Sequence, residues 1–61
     1  MDKKEFADYL KGEKLRLNLN HNAFASLIGY SRDTYMSYYR GINGCPIEKQ
    51  EAIKKILDAE V

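Results

Sequence analysis

The sequence predicts a small all-α domain of four helices. Apolar residues recur three and four positions apart in several segments, and groups of glycine, asparagine and proline separate these segments from one another. The chain of 61 residues is long enough for one domain, residues 1–61, and its 44% hydrophobic content is typical of a folded chain rather than a disordered one. No stretch suggests a strand that has a partner.

The first helix is expected over Asp2–Arg16. Phe6 and Leu10 lie four positions apart and therefore on one side of a helix. Asp2 is followed three residues later by Glu5, which is the spacing of a capping box. Both observations place the start of the helix at the beginning of the sequence.

The second helix is expected over His21–Ile28, with Asn20 as its N-cap and Gly29 at its end. Before it, residues 15–19 alternate leucine with polar residues, as a strand would. Three alternations without a partner strand cannot form a sheet, so we interpret this stretch as a helix end and a connector.

The third helix is expected over Arg32–Arg40, with Ser31 placed to cap it. Residues 41–45 are rich in turn formers, and a fourth helix is expected over Pro46–Glu60 because proline is tolerated in the first turn of a helix. Cys45 is interpreted as a small loop residue, with an intermolecular disulfide or redox switch as the alternative.

The second and third helices are expected to form one compact unit. Ala25 and Gly29 permit close packing and a sharp turn between two helices that cross at roughly 90–120°. Tyr35 and Tyr38 are predicted to be core residues whose hydroxyls stay in water. The wedge between the helices is then filled by larger side chains, Phe24, Ile28, Tyr35 and Tyr38.

The segment HNAFASLIGYSRDTYMSYYRG resembles the helix-turn-helix of phage Cro and repressor proteins, the XRE-like family. The resemblance is strongest over residues 19–41 and includes Ala25, Gly29, the GYSRDT turn and the closing RG. His21 stands where the family usually has glutamine, and no separate fifth helix is expected. The resemblance implies a lambda-repressor-like fold and binding to double-stranded DNA.

One face of the third helix is polar, since five of its side chains fall within an arc of about 140°. In a major groove, Arg32 suits guanine, Asp33 can accept from cytosine, Met36 can touch a thymine methyl, and Ser37 can bond several bases. Arg40 is better placed for a phosphate. Asp33 is equally suited to stiffening the helix start, and a solvated helix face is the alternative for the whole set.

Phosphate contacts are expected around this helix. The N-terminus of the second helix favours an anion, and His21 and Asn22 add side-chain donors there. The resemblance implies a backbone contact at the position of His21. Tyr39, Asn43 and Lys49 are further candidates.

The apolar residues of the last helix cover more of its circumference than packing on one side requires. We predict that the surplus, Ala52, Ile56 and Ala59, forms a homodimer seam. The alternative is that this helix is deeply buried in a small bundle.

Composition argues against several classes of protein. One histidine and one cysteine make no metal site or internal disulfide, and no catalytic motif occurs, so we expect no enzyme, cofactor or small-molecule ligand. No apolar run is long enough for a membrane, so a cytoplasmic protein of a bacterial host is expected. The net charge of +1 is low for a nucleic-acid binder, although residues 17–46 carry few carboxylates.

These observations predict a Cro-like transcriptional repressor of phage or bacterial type, bound as a dimer to a palindromic operator. The alternative is a protein-binding module, such as a phage inhibitor or an antitoxin component, that uses the same scaffold.

Overall fold

The computed structural model describes residues 1–60 and confirms an all-α domain with four helices in that range. Helix α1 spans Lys3–Leu17, α2 spans His21–Ile28, α3 spans Arg32–Tyr39 and α4 spans Ile47–Asp58. Strands are absent from residues 1–60. Within the same range no helix combines the length and the apolar character that a membrane crossing requires.

Three predicted N-caps are confirmed. The Asp2 carboxylate accepts the N–H of Glu5 at 2.8 Å, while the Asp2 N–H donates to the Glu5 side chain, which completes the capping box. Asn20 caps α2 through the N–H of Ala23 at 2.8 Å, and Ser31 caps α3. Helices α1, α2 and α3 therefore begin where a short polar side chain satisfies a free N–H group.

The fourth helix begins one residue later than predicted and ends earlier. Pro46 is its N-cap residue and makes no side-chain capping bond, and Asp58 is the last helical residue. Proline has no N–H group and cannot provide a side-chain acceptor, so this end of α4 depends on tertiary contacts instead.

Left-handed residues end the first two helices. Asn18 closes α1 with φ of 55°, and Gly29 closes α2 with φ of 79°. After Gly29 the N–H of Tyr30 donates to the carbonyl of Ala25 at 3.0 Å, which is typical of a Schellman turn. Residues 15–19 were predicted to be a helix end and a connector. The helix continues as far as Leu17, and the leucine alternation does not form a strand.

The core lies between all four helices. Helix α3 packs against α1 and α2, and α4 packs against α2. The residues predicted to fill the wedge between α2 and α3 are all buried. The inaccessible side chains of the core are Phe6 and Leu10 of α1, Phe24 of α2, Tyr35 of α3, and Ile53 and Leu57 of α4.

A buried glutamine anchors the first turn of α4. Gln50 is 4% exposed, and its amide nitrogen donates to the carbonyls of Cys45 and Met1, each at 2.7 Å. Its amide oxygen accepts from the amino group of Met1 at 3.0 Å. Gln50 thus joins the first turn of α4 to the preceding loop and to the segment before α1.

Arg16 connects the ends of α1 and α4. Its guanidinium donates to the carbonyls of Leu57 at 2.9 Å and Glu60 at 3.0 Å, and it pairs with Glu13 at 2.6 Å. Because the last carbonyls of a helix lack intrahelical donors, a guanidinium from a neighbouring helix can satisfy them. The polar side chain of Arg16 therefore fixes how α4 sits on α1.

Two glycines provide a matched test of the turn after α2. A Cβ atom at Gly12 or at Gly29 would meet no atom within 4 Å, so neither substitution creates a clash. Gly12 lies inside α1, where alanine should raise the free energy of unfolding by about 0.5–1 kcal/mol. Gly29→Ala should lower it by about 1–2 kcal/mol because of the positive φ. Urea unfolding measures both, and equal effects would contradict this account of the turn.

Candidate nucleic-acid interface

The predicted polar face of α3 is exposed in the structure. Tyr35 and Tyr38 are buried on the inner side of the helix. Since side chains follow at about 100° per residue, the other face points away from the core. It carries Arg32, Asp33 and Arg40, which are exposed, and Met36 and Ser37, which are half-buried.

Two of these residues are less free than the sequence suggests. The Ser37 hydroxyl donates to the carbonyl of Thr34 at 2.7 Å, so its proton is engaged and it offers only lone pairs outward. In a major groove an acceptor suits the amino groups of adenine or cytosine. Met36 packs partly against the core, so only part of its side chain can reach a base.

Asp33 lies in the first turn of α3 and is exposed. A carboxylate in this position is stabilised by the helix dipole and is also available to a base. Both predicted roles therefore fit its position. Arg40 is the C-cap residue of α3, at the end of the helix furthest from Asp33.

A basic cluster gathers at the start of α2. We use this name for Lys11, Lys14, His21 and Arg32. The charges of Lys14 and Arg32 act on His21, and the Nζ atom of Lys11 lies 5.7 Å from the ring centre of Tyr39, which itself contacts His21. Positive charge from α1 and α3 is thus added to the partial positive charge of the N-terminus of α2.

The sequence analysis did not identify Lys11 and Lys14. They lie three residues apart on α1, and Lys14 continues the four-residue spacing of Phe6 and Leu10, but several acidic residues share their helix. Their position beside His21 depends on how α1 packs against α3, which local patterns do not report. Only the spacing of the two lysines could have suggested a common face.

His21 and Tyr39 are both half-buried and pack against each other edge to face, with ring centres 4.9 Å apart. The Nδ1 atom of His21 is 2.9 Å from the hydroxyl of Tyr35. The prediction that the Tyr35 hydroxyl stays in water is therefore wrong, because the hydroxyl is buried and bonded to His21. Asn22 is exposed on the first turn of α2, as a phosphate donor must be.

The other two phosphate candidates flank α3. Asn43 is exposed in the loop after α3, and its N–H donates to the carbonyl of Ser37 at 3.3 Å. Lys49 is exposed, and its Nζ atom lies 6.0 Å from the ring centre of Tyr30 in the turn before α3. The structure thus places Lys49 near the start of α3 and Asn43 near its end.

The predicted seam of α4 is largely open. The inner face of α4 is formed by Gln50, Ile53 and Leu57. Ala52 and Ala59 are exposed, and Ile56 is half-buried without belonging to the hydrophobic side chains that pack on the core. Burial within residues 1–60 therefore does not account for Ala52 and Ala59, and it accounts only in part for Ile56.

An apolar groove of about 490 Å³ lies on another side of the molecule, at the ends of α1 and α4 and along α2. Most of its lining is aliphatic, from Leu17, Leu19, Ala23 and Leu27, with Ser26 and Glu60 contributing polar atoms. None of the predicted DNA-contacting residues lines it.

No protein-family model, curated protein or solved structure matches this chain. The candidate interface is therefore defined by its own geometry and charge.

The environment of His21 predicts a pH-dependent stability. Burial, and then the charges of Lys14 and Arg32, lower the pKa of His21 below its ordinary value of 6.5. The unfolded chain thus binds this proton at a higher pH than the folded protein, so the contribution of His21 is fully present above pH 6.5 and decreases as the pH falls below that value.

Urea unfolding at about pH 7.5 and about pH 5.5 should show this loss, since histidine titrates between these values. His21→Gln is the control, because glutamine can accept from Tyr35 without titrating. The variant should lose less stability than the native protein over the same interval. An equal loss in both would mean that His21 does not contribute.

Proposed function

We propose that this protein is a sequence-specific DNA-binding transcriptional regulator, a Cro-like repressor that inserts α3 into the major groove of an operator. The observation that carries the proposal is the two-sided character of α3. Its tyrosines are buried against α1 and α2, while Arg32, Asp33 and Arg40 face outward. The two helices α2 and α3 are joined by a tight glycine turn, which is the arrangement of a helix-turn-helix.

Sequence would be read by the first part of α3. Recognition helices contact bases mainly with their N-terminal residues. Arg32 would pair with guanine and Asp33 with cytosine, whereas Ser37 would accept from adenine or cytosine because its proton is engaged. The exposed part of Met36 would contact a thymine methyl.

The DNA backbone would be held on both sides of α3. The basic cluster and Asn22 would bind phosphates at the start of α2, together with the hydroxyl of Tyr39. Arg40 and Asn43 would do so at the end of α3, and Lys49 beside the turn that precedes it. This local concentration of positive charge compensates for a net charge of only +1.

The operator would be palindromic and bound by two copies that meet along α4, through Ala52, Ile56 and Ala59. Helix α3 packs on α1 and α2, and α4 packs on α2, so an α4 contact leaves α3 free. The molecule measures 25 × 20 × 18 Å. Recognition helices of such dimers lie about 34–36 Å apart. Each α3 would therefore lie roughly 5–8 Å from the centre of its own subunit, on the side away from the seam.

A second candidate function is a protein-binding module built on the same scaffold. The apolar groove lined by Leu17, Leu19 and Leu27 favours it, since groups of exposed apolar side chains mark protein contacts. The low net charge is also compatible with this role.

Salt dependence separates the two candidates. Duplexes selected from a random pool should bind the protein, and the affinity should fall by about 10³–10⁵-fold between roughly 50 and 200 mM salt if a dimer neutralises six to ten phosphates. Lys14→Gln should reduce the slope by about 0.9 per subunit, whereas Lys54→Gln, on the side of α4 away from the proposed seam, should leave it unchanged. A protein contact in the apolar groove would barely respond to salt, and failure to select any duplex would favour it.

The two exposed arginines of α3 should behave differently on replacement. Arg32→Ala should cost about 1–3 kcal/mol of binding free energy and relax specificity at one base pair. Arg40→Ala should weaken all duplexes alike and lower the salt slope by about 1. Competition assays with single-base variants of the selected duplex measure both quantities. If the two variants lose affinity in the same pattern, the division between base and phosphate contacts is wrong.

The dimer is tested with two isoleucines of α4. Ile56→Glu should abolish paired binding to a palindrome but leave binding to a half-site intact. Ile47 is 69% exposed and lies nine residues away, on the opposite side of the helix, so Ile47→Glu is a matched control. Band-shift stoichiometry on full and half sites gives the result. Paired binding by Ile56→Glu would exclude this seam.

A further inference from the structure

His21 is held in place by aromatic residues of α3. Its Nδ1 atom is 2.9 Å from the Tyr35 hydroxyl, and its ring meets Tyr39 edge to face. Tyr35 is completely buried and stacks on Phe24 with ring centres 5.4 Å apart. A phenylalanine would fill nearly the same volume, so packing alone does not require the hydroxyl. Because the hydroxyl is buried it needs a hydrogen-bond partner, and that partner is His21.

The direction of this hydrogen bond follows from the burial of Tyr35. Desolvation raises the pKa of Tyr35 to about 12, so the hydroxyl keeps its proton. A buried hydroxyl proton requires an acceptor, and within residues 1–60 the hydroxyl is bonded to Nδ1 of His21. A neutral imidazole that accepts at Nδ1 carries its own proton on Nε2.

The Nε2 atom of His21 reaches solvent. Among residues 1–60, no buried side-chain nitrogen or oxygen lacks a hydrogen-bond partner, and the bond of His21 is made through Nδ1. His21 is the first residue of α2, where backbone N–H groups have no acceptor within the helix. The positive charges of Lys14 and Arg32 also act at this end of α2, and they favour an anionic oxygen there.

We propose that Tyr35 is a positioning residue for DNA binding: its buried hydroxyl holds His21 in the Nε2–H tautomer, and Nε2–H donates to a phosphate oxygen of the DNA backbone. The inference rests on the proposed DNA-binding function. This role would explain why Tyr35 carries a hydroxyl that packing does not require. The Nε2–H donor of His21 would also act without a positive charge on the ring.

The surroundings of His21 keep this donor neutral. Lys14 on α1 and Arg32 on α3 both oppose an imidazolium, and the first turn of α2 contains no acidic residue to favour one. A proton on Nδ1 would also leave the Tyr35 hydroxyl without its acceptor, because both protons would then point at each other. The contact to phosphate should therefore change little over the pH range in which a free histidine titrates.

The tautomer is tested on the free protein by ¹⁵N NMR of the His21 ring. Nδ1 should have the chemical shift of a bare acceptor nitrogen and Nε2 that of a protonated one. Tyr35→Phe should give a mixture of tautomers and raise the pKa of His21. Tyr38→Phe is the matched control, because Tyr38 is also buried but its hydroxyl makes no side-chain bond within residues 1–60. A proton on Nδ1 in the native protein, or an unchanged ring in Tyr35→Phe, would overturn the inference.

Binding to the selected duplex tests the role of the donor. Tyr35→Phe should bind about two- to tenfold more weakly, which corresponds to the loss of one hydrogen bond, and its affinity should rise as the pH falls from about 7.5 to about 6. In His21→Gln the side chain does not titrate, so the affinity of this variant should not rise between these two pH values. Native affinity and a flat pH profile in Tyr35→Phe would exclude the positioning role.

The two assays also separate this inference from the proposed function. The NMR result does not require DNA. If the native protein shows the expected tautomer but binds no duplex, the proposed function fails and the donor role fails with it. If the duplex is bound but the tautomer is the other one, only the positioning role of Tyr35 is excluded.

Discussion

The orientation of α3 depends on one buried contact, the stacking of Tyr35 on Phe24 of α2. A helix of eight residues is too short to be stable alone in water, so α3 exists because its side chains pack on its neighbours. Tyr38 adds an edge-to-face contact with Phe6 of α1. With these two tyrosines turned inward, helical geometry turns the charged residues outward, and the candidate interface follows from the core.

Local signals predicted the framework correctly. The caps at Asp2, Asn20 and Ser31 and the turn at Gly29 each depend on residues within five positions of one another, so a short stretch of sequence contains the whole interaction. The buried and outward faces of α3 were likewise predictable, because they depend only on the helical repeat. The start of α4 was less predictable, since Pro46 supplies no side-chain cap that would mark it.

Contacts between distant residues were not predictable. Gln50 looks like an ordinary polar residue of a surface helix, yet its partners lie in the loop and at Met1. Arg16 similarly reaches Leu57, and Lys14 acts on His21 only because of the way α1 packs against α3. The pairing of His21 with Tyr35 belongs to the same class. Each depends on where side chains meet in three dimensions, and no spacing in the sequence encodes that.

Chemical modification of Cys45 can report local opening of this domain. It is the single cysteine of the chain, is 7% exposed, and burial raises the pKa of its thiol, so a thiol reagent should react slowly with the closed form. Modification then requires the loop between α3 and α4 to separate from the core. Its rate would measure how often this loop opens, without any engineered label.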